Sequence, residues 1–167
     1  MILDAIFNGI DSNFGFSNPI FKSLIILVIF LFVAFIIRFV TNRYIKKLLA
    51  RTKTEFDDLI FSKTKNAVFF IIIVLGLSAS LVPLEFSEET SKIINNVNVS
   101  LIIFGVTLFV IGFVDALLDA WIKKHAAKTS TRLDDELLPL FHKVTKFVFF
   151  ILGFLIILTH WGVQVGP

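Results

Sequence analysis

The chain has 167 residues; 56% are apolar, 17% are charged and 21 are phenylalanine, with a mean hydropathy of +0.89. So few polar groups cannot cover a water-soluble domain of this length, so lipid must serve as solvent and a soluble globular fold is excluded. A net charge of +3 does not point to nucleic acid, because the basic residues flank apolar spans and form no continuous face, and the lack of cysteine excludes disulfides, thiolate metal sites and a cysteine nucleophile.

The first residues, Met1 to Asp11, carry Asp4 and Asp11 and no Lys or Arg, whereas a secretory signal opens on positive charge. No cleavage is expected there. The stretch FNGIDSNFGFSNP is rich in Gly, Asn and Ser and reads as turns, so residues 1–18 are expected to form an outward-facing segment.

Four apolar stretches follow. The first, Ile20 to Val40, is long enough at ~1.5 Å per residue to cross a hydrocarbon core of ~30 Å. The second runs from Ala67 to Leu84, with Pro83 at its exit; the third from Val99 to Leu118; the fourth from Val144 to Trp161, with Lys146 near its start. Spans two and four are slightly short, a mismatch that bilayer thinning or snorkelling absorbs. The expected fold class is an all-α integral membrane protein with four transmembrane helices. Residues 85–98 (EFSEETSKIINNVN), polar and acidic, are expected to form an outer loop.

Thirteen of the sixteen basic residues fall in two segments, 41–66 and 121–146, while residues 85–98 hold only Lys92 beside Glu85, Glu88 and Glu89. The positive-inside rule places both basic connectors in the cytoplasm and both ends of the chain outside. Within them, Arg43, Lys46, Lys47, Lys123 and Lys124 are expected to contact anionic lipid headgroups, at about 1 kcal/mol per basic residue near the surface. Trp121 and Trp161 fall at the two interfaces, where aromatic belts lie.

The two halves repeat each other. Tyr44-Ile45-Lys46-Lys47 returns as Trp121-Ile122-Lys123-Lys124, and at the same offset Ala50, Thr52, Thr54 and Asp57-Asp58 return as Ala127, Thr129, Thr131 and Asp134-Asp135. AVFF at Ala67 to Phe70 returns as FVFF at Phe147 to Phe150, with three residues inserted in between. The most specific matches are polar, which apolar composition alone does not produce. The expected organisation is therefore two tandem, parallel hairpins at residues 19–84 and 99–161, with residues 162–167 as an outer link. Phe56, Leu59 and Ile60, like Leu133, Leu137 and Leu138, continue at helical spacing, so each returning helix is expected to begin before its apolar span.

The paired aspartates suggest cation binding or acid–base work, but helix capping explains them better. Thr54 with Asp57, and Thr131 with Asp134, have capping-box spacing, and carboxylates in a first turn suit the helix dipole. Asp115 is the polar residue deepest in a span and the candidate intramembrane site. Asp115, Asp119 and Lys123 also share one helical face, which suggests a local ladder with Asp119 paired to Lys123. His125 and His142 lie in the second connector and His160 at the far end of span four, so the histidines form no single metal site. No phosphate loop, dinucleotide fingerprint, nucleophile elbow or zinc spacing is present; neither a cofactor nor an enzymatic activity is expected.

The segment Thr131-Arg-Leu-Asp-Asp-Glu-Leu-Leu-Pro-Leu-Phe-His-Lys-Val-Thr-Lys146, followed by an apolar helix and His160-Trp-Gly-Val-Gln-Val-Gly166, resembles the small-conductance mechanosensitive channel (MscS-like) family. The resemblance covers Thr131 to Gly166. It implies a homo-heptamer in which sensor helices surround a pore helix, which would follow Pro167 and lead into a cytoplasmic vestibule. These four helices would then be the tension-sensing region of a channel that opens on stretch and releases ions and small solutes under osmotic downshock, with membrane lipids as partners. The competing reading is a stand-alone four-helix binding or assembly module without a pore. A secondary carrier fits less well, because the midplanes hold only Gly76, Ser78, Gly105, Thr107 and Gly153.

Overall fold

The computed structural model describes residues 18–41, 43, 55–126 and 133–164, with side chains placed at all of them except 55, 122–126 and 133–138. Four helices make up this part: α1 (Pro19–Val40), α2 (Glu55–Leu81), α3 (Glu88–Ala126) and α4 (Leu133–His160), with a 3₁₀ turn at Val82–Leu84 after α2. All four are long and apolar enough to cross a membrane, so the chain is an all-helical, multi-pass membrane protein.

The ends of the helices follow from local chemistry. Asn18 caps α1: its side chain accepts the Ile20 N–H at 3.0 Å, and Pro19 occupies the first turn, where a missing N–H costs nothing. α2 ends where Pro83 enters the 3₁₀ turn, and Glu85 adopts a left-handed conformation with φ 43°. The next helix then starts sooner than its composition suggests. Ser87 accepts the Thr90 N–H at its hydroxyl and the Ser91 N–H at its carbonyl, and Glu88 and Glu89 fill the first turn. The outer loop expected over 85–98 is thus corrected to a turn over 85–87. Its polar residues satisfy the N-terminus of a helix as readily as they would line a loop.

α3 is the longest element. Its 39 residues extend about 58 Å at ~1.5 Å each, nearly twice the hydrocarbon thickness, so it projects beyond the apolar zone. The two helices that follow residues 42–54 and 127–132, α2 and α4, begin at Glu55 and Leu133, well before the apolar runs at Ala67 and Val144.

Each helix packs antiparallel on the one before it. Phe30 of α1 lies against Gly76 of α2, and near the other end Arg38 sits over the Phe69 ring at 4.9 Å. Phe70 of α2 meets Phe104 of α3 edge-on, with centroids 5.8 Å apart, and Phe104 meets Phe150 of α4 at 6.4 Å. Trp161, just after α4, donates its indole N–H to the Ser100 hydroxyl of α3 at 2.8 Å. The helices therefore form a row in chain order, and the ends adjoining residues 42–54 and 127–132 lie together. We refer to this as the connector end.

Few side chains are buried inside the row; Ile26, Ala34, Ala67, Val74 and Ala116 are the apolar ones among the described residues. Phe32, Phe35, Phe147 and Phe154 all point outward and are more than half exposed, as lipid-facing side chains would be. Small residues instead set the helix spacing. A Cβ added at Gly112 would lie 2.6 Å from the backbone oxygen of Lys63, so α2 and α3 touch there nearly backbone to backbone, whereas Gly153 of α4 closes on the side chain of Thr107. The polar midplane residues are internally satisfied. Ser78 and Thr107 each donate to the carbonyl one turn back, Val74 and Ile103 respectively, at 2.9 Å.

Candidate functional site: a charged cluster across three helices

Asp115 and Asp119 stand one turn apart on the same face of α3, near the connector end. His142 and Lys146 stand one turn apart on α4, and Lys63 comes from α2. The antiparallel packing brings these five residues together. His142 joins the two carboxylates: its Nδ1 lies 2.7 Å from Oδ1 of Asp115 and its Nε2 lies 2.9 Å from Oδ1 of Asp119. Lys146 reaches Oδ2 of Asp115 at 3.3 Å. Lys63 pairs with Oδ2 of Asp119 and donates to the backbone carbonyl of Asp115 at 3.4 Å.

Ionised carboxylates only accept, so both ring nitrogens of His142 can bond them only if both carry hydrogen. In that state three cations surround two anions. The Asp115 side chain is only 8% exposed, so its charge needs this company, whereas the Lys146 side chain is 57% exposed. Neighbouring Thr64 is also buried and donates to the Ile60 carbonyl at 2.7 Å. No described buried side-chain polar atom lacks a partner, and the described residues form no group of metal-ligating side chains. The cluster can therefore tie helices together electrostatically; it offers no open position for a substrate or cation.

A second feature lies between α1 and α2 at the same end. A cleft of about 130 Å³ is lined by Ile37, Arg38, Thr41, Lys65, Asn66 and Phe69, among others. It combines two basic side chains with an apolar wall. Arg43, one of the residues expected to meet lipid headgroups, is exposed, with its guanidinium 5.8 Å from the Phe39 ring.

The structure brings some of the expected site residues together. Asp115 belongs to the cluster, but through contacts between helices that its own helix does not reveal. Asp119 is likewise held by Lys63 and His142, where a local ladder to Lys123 was expected; the Lys123 side chain lies outside the described residues. His142 lies in the early part of α4, within the connector segment 121–146. Asp57 lies in the first turn of α2. Thr54, Thr131, Lys46 and Lys47, and the side chains of Asp134 and Lys124, lie outside the described residues. Lys63, His142 and Lys146 were not singled out as site residues, although a signal existed. Folding the second hairpin about residues 127–132 places the segment 115–119 opposite 140–144, where two carboxylates meet His142.

The chain is 28% identical over 153 residues, 90% of its length, to the small-conductance mechanosensitive channel MscMJ of Methanocaldococcus jannaschii. It is 26% identical over 152 residues, 89% of its length, to an uncharacterized MscS family protein of Aquifex aeolicus. No family model matches the chain, and no solved structure matches it significantly. The chain spans 44% and 40% of the lengths of these two curated relatives. Across nine-tenths of its own length, this four-helix membrane protein is similar to MscS-family mechanosensitive channel proteins.

Proposed function

We propose that this chain is the tension-sensing transmembrane region of a small-conductance mechanosensitive channel. One observation carries the reading: the similarity to MscMJ covers 90% of the chain, hence all four membrane-length helices. On this reading α1–α2 and α3–α4 are two tandem hairpins, with the connector segments 41–66 and 121–146 on the cytoplasmic side and both ends of the segment outside. The domain boundaries are those expected from the repeat, except that the turn at 85–87 replaces the outer loop. Thr54, Asp57, Thr131 and Asp134 cap the returning helices, and Arg43, Lys46, Lys47, Lys123 and Lys124 meet anionic headgroups. The full assembly is a homo-oligomer, a heptamer by resemblance, with lipid as its essential partner and no nucleic acid.

The physical mechanism needs only two arrangements of different in-plane area. Tension favours the wider one, and lipid held against the apolar faces and clefts favours the narrower one. An array with so few internally buried residues leaves most of its side-chain surface to lipid and neighbouring copies, so changes in lipid packing enter its conformational balance directly. Opening would release ions and small solutes under osmotic downshock.

The test is electrical. Membrane patches from cells devoid of stretch-activated channels, expressing the whole protein, are held under increasing suction. The expected result is a stepwise conductance with a reproducible threshold, shifted by Phe69→Ala combined with Phe149→Ala, which remove a half-buried aromatic side chain from each hairpin. Robust membrane insertion without any stretch-activated conductance would instead favour a binding or assembly module.

A further inference from the structure

We propose that Asp119 is a coupling node that makes α2, α3 and α4 move as one unit, so that the two hairpins answer a load together. The consequence for gating rests on the tension-sensing reading above; the coupling itself rests on geometry.

The two oxygens of this carboxylate face different helices. Oδ2 pairs with Lys63 of α2, while Oδ1 meets Nε2 of His142 on α4 at 2.9 Å. One side chain on the central helix is thus shared by both of that helix's interfaces. The network extends in each direction. His142 continues through Nδ1 to Asp115, Asp115 continues to Lys146, and Lys63 also reaches the Asp115 carbonyl. With its partners in place, Asp119 is 24% exposed, Lys63 28% and His142 19%, so water and salt screen these charges less than they would a surface pair. Parting α2 from α3 removes a cation from a carboxylate that α4 also uses, and parting α4 from α3 does the same to α2. The two separations are therefore energetically linked, as expected of groups within one hydrogen-bonded network.

A second observation places the node at a mechanically meaningful point. Lys63 supplies the ammonium for Asp119 and also the backbone oxygen against which Gly112 of α3 rests. Gly112 and Asp119 lie two turns apart on α3, so a backbone approach and the ion pair hold the same residue of α2 at both ends. Farther along, the α2–α3 contact consists of apolar and aromatic surfaces, such as Phe70 on Phe104, which slide without breaking charge pairs. The hairpins are thus joined most firmly at the connector end.

These 167 residues contain no cysteine, so none of them competes with an introduced spin-label pair. Ser62→Cys on α2 and Lys143→Cys on α4 are both exposed and bracket the cluster. Their distance distribution is measured by double electron–electron resonance on the whole protein in nanodiscs, with labelled chains diluted among unlabelled ones so that pairs between copies do not contribute. A single narrow distribution is expected in the parent background, broadened or split by Asp119→Asn and restored by Asp119→Glu. Lys63→Met removes only the α2 arm and should broaden the distribution as well, which covers the case in which Asp119→Asn fails to fold. In patches, Asp119→Asn should shift the tension threshold, and Lys63→Met combined with His142→Gln should shift it no further than the larger single effect. An unchanged distribution in both Asp119→Asn and Lys63→Met overturns the coupling, and additive threshold shifts overturn its cooperative form. If the parent protein carries no stretch-activated current, the functional reading fails while the distances still judge the coupling. Current with unaltered distances sinks the coupling alone.

Discussion

Replacing Gly112 by alanine sets two known effects against each other at a position where the structure decides the winner. Alanine is favoured over glycine within a helix by about 0.8–1.0 kcal/mol, so at an open site the change would stabilise. At Gly112 the new Cβ would stand 2.6 Å from the Lys63 backbone oxygen and 3.1 Å from its carbonyl carbon. A carbon meets a carbonyl oxygen comfortably at about 3.3 Å or more, so α2 and α3 must separate by roughly 0.7 Å. Gaps of that size forfeit about a quarter to a half of each dispersion contact along the seam, and overpacking costs about 1–3 kcal/mol. Because the obstacle is backbone, no rotamer change relieves it. We expect Gly112→Ala to destabilise the chain by a net ~1–2 kcal/mol. At Gly105, by contrast, the nearest atoms are the side chains of Ile71 and Phe70, which can turn aside, so Gly105→Ala should be milder. The assay is reversible unfolding in mixed micelles of rising denaturing-detergent fraction, followed by far-ultraviolet circular dichroism. A Gly112→Ala chain as stable as the parent, or more so, would refute the claim that backbone contact sets the α2–α3 spacing.

Other outcomes follow from the same structure. Asp115→Asn weakens the partner shared by His142 and Lys146 at a nearly buried position, and should cost about 1–3 kcal/mol in the same unfolding assay; a silent result would mean Asp115 contributes nothing to holding α3 and α4 together. Phe69→Ala removes the ring beneath the exposed Arg38 guanidinium, a cation–π contact worth about 0.5–1 kcal/mol, and a double-mutant cycle with Arg38→Gln should return a coupling of that order. Asn18→Ala deletes the α1 cap and should cost about 0.5–2 kcal/mol, seen as increased amide exchange at Ile20 and Phe21 with the distal part of α1 unaffected. Gly162 has φ 80° and closes the end of α4, so Gly162→Ala should destabilise by about 1 kcal/mol for conformational reasons alone, since no atom lies within 4 Å of the new Cβ.

The four spans were legible in the amino-acid sequence, because a bilayer acts on each residue separately. Ile20 to Val40 is apolar whatever lies beside it, and a backbone in hydrocarbon must satisfy its own hydrogen bonds, so length and hydropathy suffice to name the helix. The early starts of α2 and α4 could also be anticipated from Phe56, Leu59 and Leu133, since helical spacing is a local pattern. The start of α3 at Glu88 was legible in principle, for Ser87 and two glutamates make a sound helix N-terminus, but overall polarity suggested a loop.

Tertiary structure alone decided the partners of the charges. Nothing in the spacing of Asp115 and Asp119 along α3 distinguishes a ladder along one helix from a network across three. Asp119 meets Lys63 because Gly112 lets α2 approach to backbone contact, and it meets His142 because α4 packs on α3 in one particular register, with Gly153 against Thr107. Solvation is a property of one residue in its medium, whereas an ion pair is a property of two residues and of every contact that sets the distance between them.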